Sequence, residues 1–275
     1  MSLGLIALLA VAGALGGFLA GLVGVGGGII FGPVLFFTLQ GMGIADPILT
    51  PLTLGSSLLC TWAASLSGAV AQRKAGAIDA RTALGAGAVA ALAVVAMTLF
   101  VTTEPWYSRR VFQVVLGTVL VVVVARMLLK KPRPDSGLSV EAARRSALFL
   151  GMTGAAAGSL AAAAGVGGGV VLVPAFNGLV RLPLKTAAGS STAAIVVITG
   201  VGVAMNALLG LGADVPAGAV GYVHVPLALA LSLPAVVTAR LGVATAHRIS
   251  VRGVRISFAA FAGVVAVRLL WTALA

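Results

Sequence analysis

The sequence predicts an all-α integral membrane protein built as an inverted repeat, each half a broken-helix hairpin plus three transmembrane helices. Three observations support this prediction: the composition of the chain, the placement of its basic residues and a duplicated glycine motif. Of the 275 residues, 60% are hydrophobic and 9% are charged, and the mean hydropathy is +1.15. A chain with so little polar surface belongs in lipid rather than in water.

The same composition argues against several other classes of protein. The formal net charge is +12, but the basic residues lie between apolar segments and are not interleaved with aromatic residues, so no nucleic-acid partner is predicted. Cys60 is the only cysteine, which excludes an intrachain disulfide and a cysteine-cluster metal site. No cofactor and no metal site are predicted. The apolar segment 3–22 has no basic residue before it, so we expect it to remain in the mature protein.

The basic residues predict how the apolar segments cross the membrane. The lipid bilayer is a predicted partner of the protein. Of the 18 Lys and Arg residues, 15 lie in four connections, which should face the cytoplasm. Arg109, Arg110 and Arg268 lie elsewhere and should face outward. Both conditions hold only if the segments 3–44 and 147–179 are hairpins that return to the side they left. The predicted spans are 52–71, 83–101, 111–129, 187–211, 219–239 and 254–273. Three crossings per half give the halves opposite orientations and place both termini outside.

An internal duplication supports this division into halves. Pro33 and Pro174 each follow a copy of the same glycine motif, Gly24-Val25-Gly26-Gly27-Gly28 and Gly165-Val166-Gly167-Gly168-Gly169. A Gly-Ser-Ser triplet follows each copy, at 55–57 and 189–191, and similar apolar neighbours flank Arg126 and Arg268 near the end of each half. Three matches in the same order indicate a duplication. The polar linker 136–141 marks the boundary, which gives the repeats 1–135 and 136–275.

The glycine motifs are the predicted substrate-binding tips of the two hairpins. Consecutive glycines destabilise a helix by about 1 kcal/mol each, and Pro33 and Pro174 suit the first turn of a new helix. Unwound backbone inside a membrane needs partners for its N–H groups, and an anion at two helix N-termini is such a partner. The predicted residues are Gly26, Gly27, Gly28, Gly167, Gly168 and Gly169. Alternatively, these glycines only let helices approach closely, as small residues commonly do in membranes.

Hydroxyl groups early in the following helices are further candidates. They complete an anion shell or, alternatively, bond to carbonyl groups of their own helices. These residues are Ser56, Ser57, Ser190, Ser191 and Thr192. Asn177 and Asn206 either line the path or bond between helices, and Cys60 is expected to be a small buried side chain. His224, near the outer end of its span, is expected to be a packed or interfacial residue.

These residues together resemble the sulfite exporter TauE/SafE family of membrane permeases. The resemblance rests on Gly21-Leu22-Val23 with the first glycine motif, on the second copy, and on the serine triplets, and it extends over the whole chain. It implies a transporter of small anions, sulfite or a related sulfur oxyanion or organosulfonate, in a bacterial-type inner membrane, with a role in sulfur metabolism. Four alanines, 161–164, precede the second motif, so the two tips are expected to pack differently.

The acidic residues bear on the mechanism. All six lie in or beside connections, which leaves no carboxylate at mid-membrane as a proton relay. We therefore expect export by alternating access, driven by the membrane potential. The alternatives are an intramembrane hydrolase that uses His224 with a serine of either triplet, and an anion channel. A homodimer is also compatible with the sequence.

Overall fold

The computed structural model describes residues 2–103, 107–129, 147–246 and 252–274, and these residues are almost entirely helical. The all-α prediction is confirmed. The predicted linker 136–141 lies outside the described residues. The helices are α1 (Leu3–Val23), α2 (Gly28–Gly41), α3 (Asp46–Lys74), α4 (Ala80–Thr103), α5 (Arg109–Leu129), α6 (Ala147–Ala164), α7 (Gly169–Gly178), α8 (Leu184–Leu209), α9 (Val225–Ala246) and α10 (Arg252–Leu274). Within this part of the chain, α1, α3, α4, α8 and α9 are long and apolar enough to cross a membrane.

Each glycine motif interrupts a helix, but the second arm begins earlier than expected. The helix α2 begins at Gly28, so Pro33 lies inside it and the prediction that Pro33 occupies the first turn is wrong. The carbonyl of Gly27 accepts the N–H groups of Ile30 and Phe31, which closes the first turn before the proline is reached. Pro174 lies inside α7 for the same reason. The arm α2 therefore has 14 residues and a length of about 21 Å.

A small β-hairpin precedes α9, where a helix was expected from residue 219. Strand β1 (Ala219–Val220) pairs antiparallel with β2 (Val223–His224), and α9 begins only at Val225. Gly218 and Gly221 have φ angles of +87° and +53°, a region that glycine enters readily and that does not continue a helix. The apolar composition of this segment concealed the turn.

Equivalent helices of the two halves make equivalent contacts. Helix α1 lies against α9 as α6 lies against α4, and α3 packs on α8 while α5 packs on α10. The contacts between α3 and α8 run antiparallel, because Gly68 meets Thr192 at one end and Gly202 meets Leu58 nearer the other. The inverted repeat stays a prediction, and antiparallel contact between equivalent helices is what it requires.

Many glycines outside the motifs serve close helix contact. A Cβ atom on Gly17 of α1 would lie 2.2 Å from the carbonyl oxygen of Ala235 in α9. Gly13 and Gly21, one turn away on either side, face backbone atoms of α9 in the same manner. In the other half Gly158 faces the carbonyl oxygen of Ala90 at 2.2 Å. For these glycines the small-residue interpretation is correct, since no larger side chain fits between the helices.

Candidate functional site

The two hairpin tips meet each other at the centre of the helix bundle. A Cβ atom added to Gly28 would lie 2.6 Å from the Cα of Val166, and one added to Gly169 would lie 2.6 Å from the Cα of Val25. Gly28 and Gly169 are both buried. The first residue of α2 therefore contacts the glycine loop of the second half, and the first residue of α7 contacts the glycine loop of the first half. Opposed hairpins are expected to make such contacts.

The tips have the same backbone conformation. Gly24, Gly26 and Gly27 have φ angles of +75°, +92° and +75°. Gly165, Gly167 and Gly168 have φ angles of +69°, +74° and +78°. Side chains other than glycine rarely adopt these angles, so both tips depend on glycine at equivalent positions. The four alanines before the second motif leave these φ angles unchanged, and the expected difference in packing between the tips stays a prediction.

Both tips present N–H groups without acceptors, in residues that are buried except for the half-buried Val25. Among the described residues, the N–H groups of 25–27 and of 166–168 donate no hydrogen bond. Gly27 and Gly168 cap α2 and α7 but offer no side chain to the first turn. Buried N–H groups are nearly always paired, so such a cluster indicates room for an external acceptor. The partial positive charge of two helix N-termini acts on the same point.

The serine triplets hold the tips in place from the opposite half. The hydroxyl of Ser57 donates to the carbonyl oxygen of Gly165 at 2.9 Å, and that of Ser191 donates to the carbonyl oxygen of Gly24 at 3.0 Å. The first serine of each triplet accepts a hydrogen bond from the residue before a helix: Ser56 from the N–H of His224 and Ser190 from the N–H of Asp79, both at 2.8 Å. The bonds of Ser57 and Ser191 are equivalent, as are those of Ser56 and Ser190. Neither an anion shell nor bonds to carbonyls of their own helices predicted this use of the serines.

The other polar candidates have local partners. Thr192 donates to the carbonyl of Ala188 in its own helix at 2.8 Å, and Asn206 donates to that of Gly202 at 2.8 Å. Asn177 donates to the carbonyl of Leu182 at 3.0 Å. Cys60 is fully buried, and its thiol lies 3.4 Å from the carbonyl oxygen of Ala228. For Thr192 the own-helix alternative is the observed one, whereas the Asn206 bond within α8 is neither of the two uses expected for that residue.

Thr61 of α3 contacts both tips and was not among the residues predicted from the sequence. It is 0% exposed, and its hydroxyl has no hydrogen-bond partner within the described residues. A Cβ on Gly28 would lie 2.9 Å from its Oγ1, and one on Gly167 would lie 2.7 Å from its methyl carbon. Thr61 thus touches both tips. The available signal was its position one helical turn after Ser57, on the same face of α3.

A cavity of about 980 Å³ opens onto the tips from one side of the protein. Val25, Gly27 and Ile29 line it from the first tip, and Gly169 and Val170 line it from the second. The cavity continues between the end of α5, the start of α6 and the end of α7, over a mostly apolar wall. A polar solute therefore has access to the unpaired N–H groups from this side.

The serine nearest to His224 does not face its imidazole ring. Ser56 accepts a bond from the backbone N–H of His224, whereas Nδ1 of the ring accepts the N–H of Leu227 at 3.4 Å. The ring therefore acts as a cap for the start of α9. Within the described residues, no hydrogen bond joins this ring to a serine hydroxyl. The geometry of a serine nucleophile activated by histidine is not present here.

Comparison with known proteins agrees with this architecture. The family model for the sulfite exporter TauE/SafE matches residues 9–269. The chain belongs to the sulfite exporter TauE/SafE family. It is similar to a probable membrane transporter protein of Haemophilus influenzae, with 27% identity over 94% of this chain and 95% of the relative. A probable membrane transporter protein of Methanocaldococcus jannaschii is 24% identical over 97% and 96% of the two chains. No solved structure matches. This TauE/SafE protein is a multi-pass integral membrane transporter.

Proposed function

We propose that this transporter moves a small anion, sulfite or a related sulfur oxyanion or organosulfonate, and binds it between the two glycine tips. The observation that carries the proposal is the cluster of unpaired N–H groups at residues 25–27 and 166–168, all in buried residues except that of the half-buried Val25. Helix N-termini and free N–H groups bind anions and repel cations. The family description supports sulfite as the first anion to test.

The contact between the tips favours a carrier over a channel. The cavity reaches the tips from one side, where Gly28 meets the backbone of Val166 and Gly169 meets that of Val25. A carrier that exposes its site to one side at a time requires such a closure, whereas an open channel requires a continuous path. We propose alternating access in which the tips open toward one side and then the other.

We propose export, with the halves 1–135 and 136–275 inverted in a bacterial-type inner membrane. The antiparallel contacts of α3 with α8 support the inversion. Each negative charge that leaves a cell with a negative interior gains about 2.3 kcal/mol per 100 mV, so a doubly charged anion gains about twice that. The membrane potential is therefore a sufficient driving force, without a proton relay. A homodimer remains a prediction.

The test is anion flux in vesicles that contain the purified protein, with matched glycine variants. Gly27→Ala and Gly168→Ala place a Cβ at 2.8 Å from the Gly16 carbonyl oxygen and 2.6 Å from the Ala157 carbonyl oxygen, which displaces the tips. Gly43→Ala and Gly212→Ala impose similar backbone strain, at φ +77° and +86°, where nothing lies within 4 Å. We expect the tip variants to lose flux by about tenfold or more and the controls to keep most of it.

Three outcomes would contradict parts of this proposal. If the wild-type protein moves none of sulfite, other sulfur oxyanions and small sulfonates, the proposed substrate class is wrong. If both tip variants transport normally, the tips are not the binding site. If flux ignores an imposed potential but requires a proton gradient, export driven by the potential is wrong.

A further inference from the structure

Arg126 is the one charged residue among the described residues that line the cavity. It lies near the end of α5, its side chain is exposed, and it forms no ion pair or hydrogen bond with another described residue. The sequence alone predicts for Arg126 only a role in setting the orientation of the protein in the membrane. A planar guanidinium group binds oxyanions with two parallel hydrogen bonds, and an apolar wall strengthens that attraction.

We propose that Arg126 binds the anion in the cavity before it reaches the tips, and that Arg268 does the same on the opposite side. This inference rests on the proposed function, because it assumes that the cargo is an anion. The two arginines hold equivalent positions near the ends of the two halves. Gln113, at the start of α5, donates to Thr272, at the end of α10, at 2.9 Å, so these helices run antiparallel. The arginines therefore lie toward opposite ends of the bundle.

The surroundings of the two arginines differ in one aromatic contact. The guanidinium of Arg268 lies 4.5 Å from the centre of the Phe37 ring, in a cation–π contact near the end of α2. Counted from the glycine motifs, the equivalent of Phe37 is Gly178, the last residue of α7. Gly178 lines the cavity as Arg126 does. Both arginines are exposed, but the guanidinium of Arg268 lies against an aromatic ring, whereas that of Arg126 lies at the open cavity.

The first test measures how the concentration dependence of sulfite flux changes when the charge at position 126 is removed. We expect Arg126→Gln to raise KM about tenfold, and Arg126→Lys to raise it only about threefold, when sulfite enters from the cavity side. Arg73→Gln is the matched control, since Arg73 is an exposed basic residue at the end of α3 and does not line the cavity. The control should keep the wild-type KM.

A charge-rescue experiment separates recognition of the anion from a structural role. Arg126→Cys in a Cys60→Ala background offers a single thiol. Modification with a positively charged methanethiosulfonate should restore the low KM, and a negatively charged one should not. Equal recovery with both reagents would overturn the proposal, and this readout also serves if Arg126→Gln does not fold.

Gly178→Phe tests the difference between the two sides. A Cβ at Gly178 meets nothing within 4 Å, so a phenylalanine has room there and should lie against the Arg126 guanidinium as Phe37 lies against that of Arg268. We expect flux to fall about tenfold without loss of thermal stability. Gly41→Phe, at the last residue of α2 and also with open space, should leave flux unchanged.

The outcomes distinguish this inference from the function on which it rests. An unchanged KM in Arg126→Gln, together with lost flux in Gly27→Ala, would overturn the role of Arg126 and leave the tips as the site. Absence of flux in the wild-type protein for every anion tested would overturn both.

Discussion

At the scale of the residue, Thr61 brings an unpaired hydroxyl group to the contact between the two tips. Its buried hydroxyl has no partner among the described residues, and such a group costs about 1–3 kcal/mol when it stays unpaired. The equivalent position in α8 is Ile195, which also touches both tips but has only carbon atoms to offer. The junction of the tips is therefore polar on the α3 side and apolar on the α8 side. In the proposed site, an anion between the tips would gain a hydroxyl donor at this position from one half only.

The Thr61 hydroxyl is expected to serve binding rather than folding. Thr61→Val keeps the shape of the side chain and removes an unsatisfied group, so the midpoint of thermal unfolding should stay constant or rise. The KM for sulfite should increase about fivefold, as expected for one lost hydrogen bond. Thr199→Val is the control, because the hydroxyl of Thr199 already bonds to the carbonyl of Ile195 at 2.7 Å. A lower unfolding midpoint with an unchanged KM would contradict this assignment.

The site was predictable where its chemistry is local. Glycines and a proline at fixed spacing indicate broken helices, and the tips contain the six predicted glycines. The partners of the hydroxyl groups were not predictable, because Ser57 and Ser191 bond to carbonyls that lie in the other half of the chain. Thr61 was not identified because the spacing of residues along one helix does not reveal that a hydroxyl lacks a hydrogen-bond partner.

At the scale of the element, α1 depends on the glycines that face α9. Gly17→Leu would force the two helices apart, because a Cβ there lies 2.2 Å from the Ala235 carbonyl oxygen. We expect a loss of stability of several kcal/mol, seen as aggregation in detergent or a much lower unfolding temperature. Gly4→Leu, in the same helix but with nothing within 4 Å, should behave as the wild type. Equal behaviour of the two variants would contradict this account of the α1–α9 contact.

Hydropathy and glycine placement predicted the elements better than their ends. The breaks after α1 and α6 follow from residues that disfavour a helix wherever they occur. The restart of α2 was misplaced, because the carbonyl of Gly27 closes a turn ahead of Pro33. The start of α9 was misplaced because an apolar segment folds equally well into a short hairpin when Gly218 and Gly221 permit it. Apolar composition specifies burial and leaves the local conformation open.

At the scale of the whole molecule, the inverted arrangement predicts on which side of the membrane each connection lies. In a Cys60→Ala background, we expect Ala75→Cys, in the exposed turn after α3, to react with a membrane-impermeant maleimide only from the cytoplasmic side. Ala217→Cys, exposed before the small hairpin, and Ser2→Cys should react from outside. These expectations follow from the positive-inside rule. Reaction of Ala75→Cys and Ala217→Cys from the same side would contradict the inverted arrangement.

The reciprocal serine bonds have a consequence for biosynthesis. Ser191 supplies the hydrogen bond to Gly24, and Ser57 supplies the one to Gly165, so neither hairpin tip is complete without the other half. The amino-terminal half leaves the ribosome and enters the bilayer long before Ser191 has been synthesised. Until then the Gly24 carbonyl lacks the donor that it has in the folded protein. We therefore expect the first tip to be completed late, when α8 is inserted and supplies Ser191.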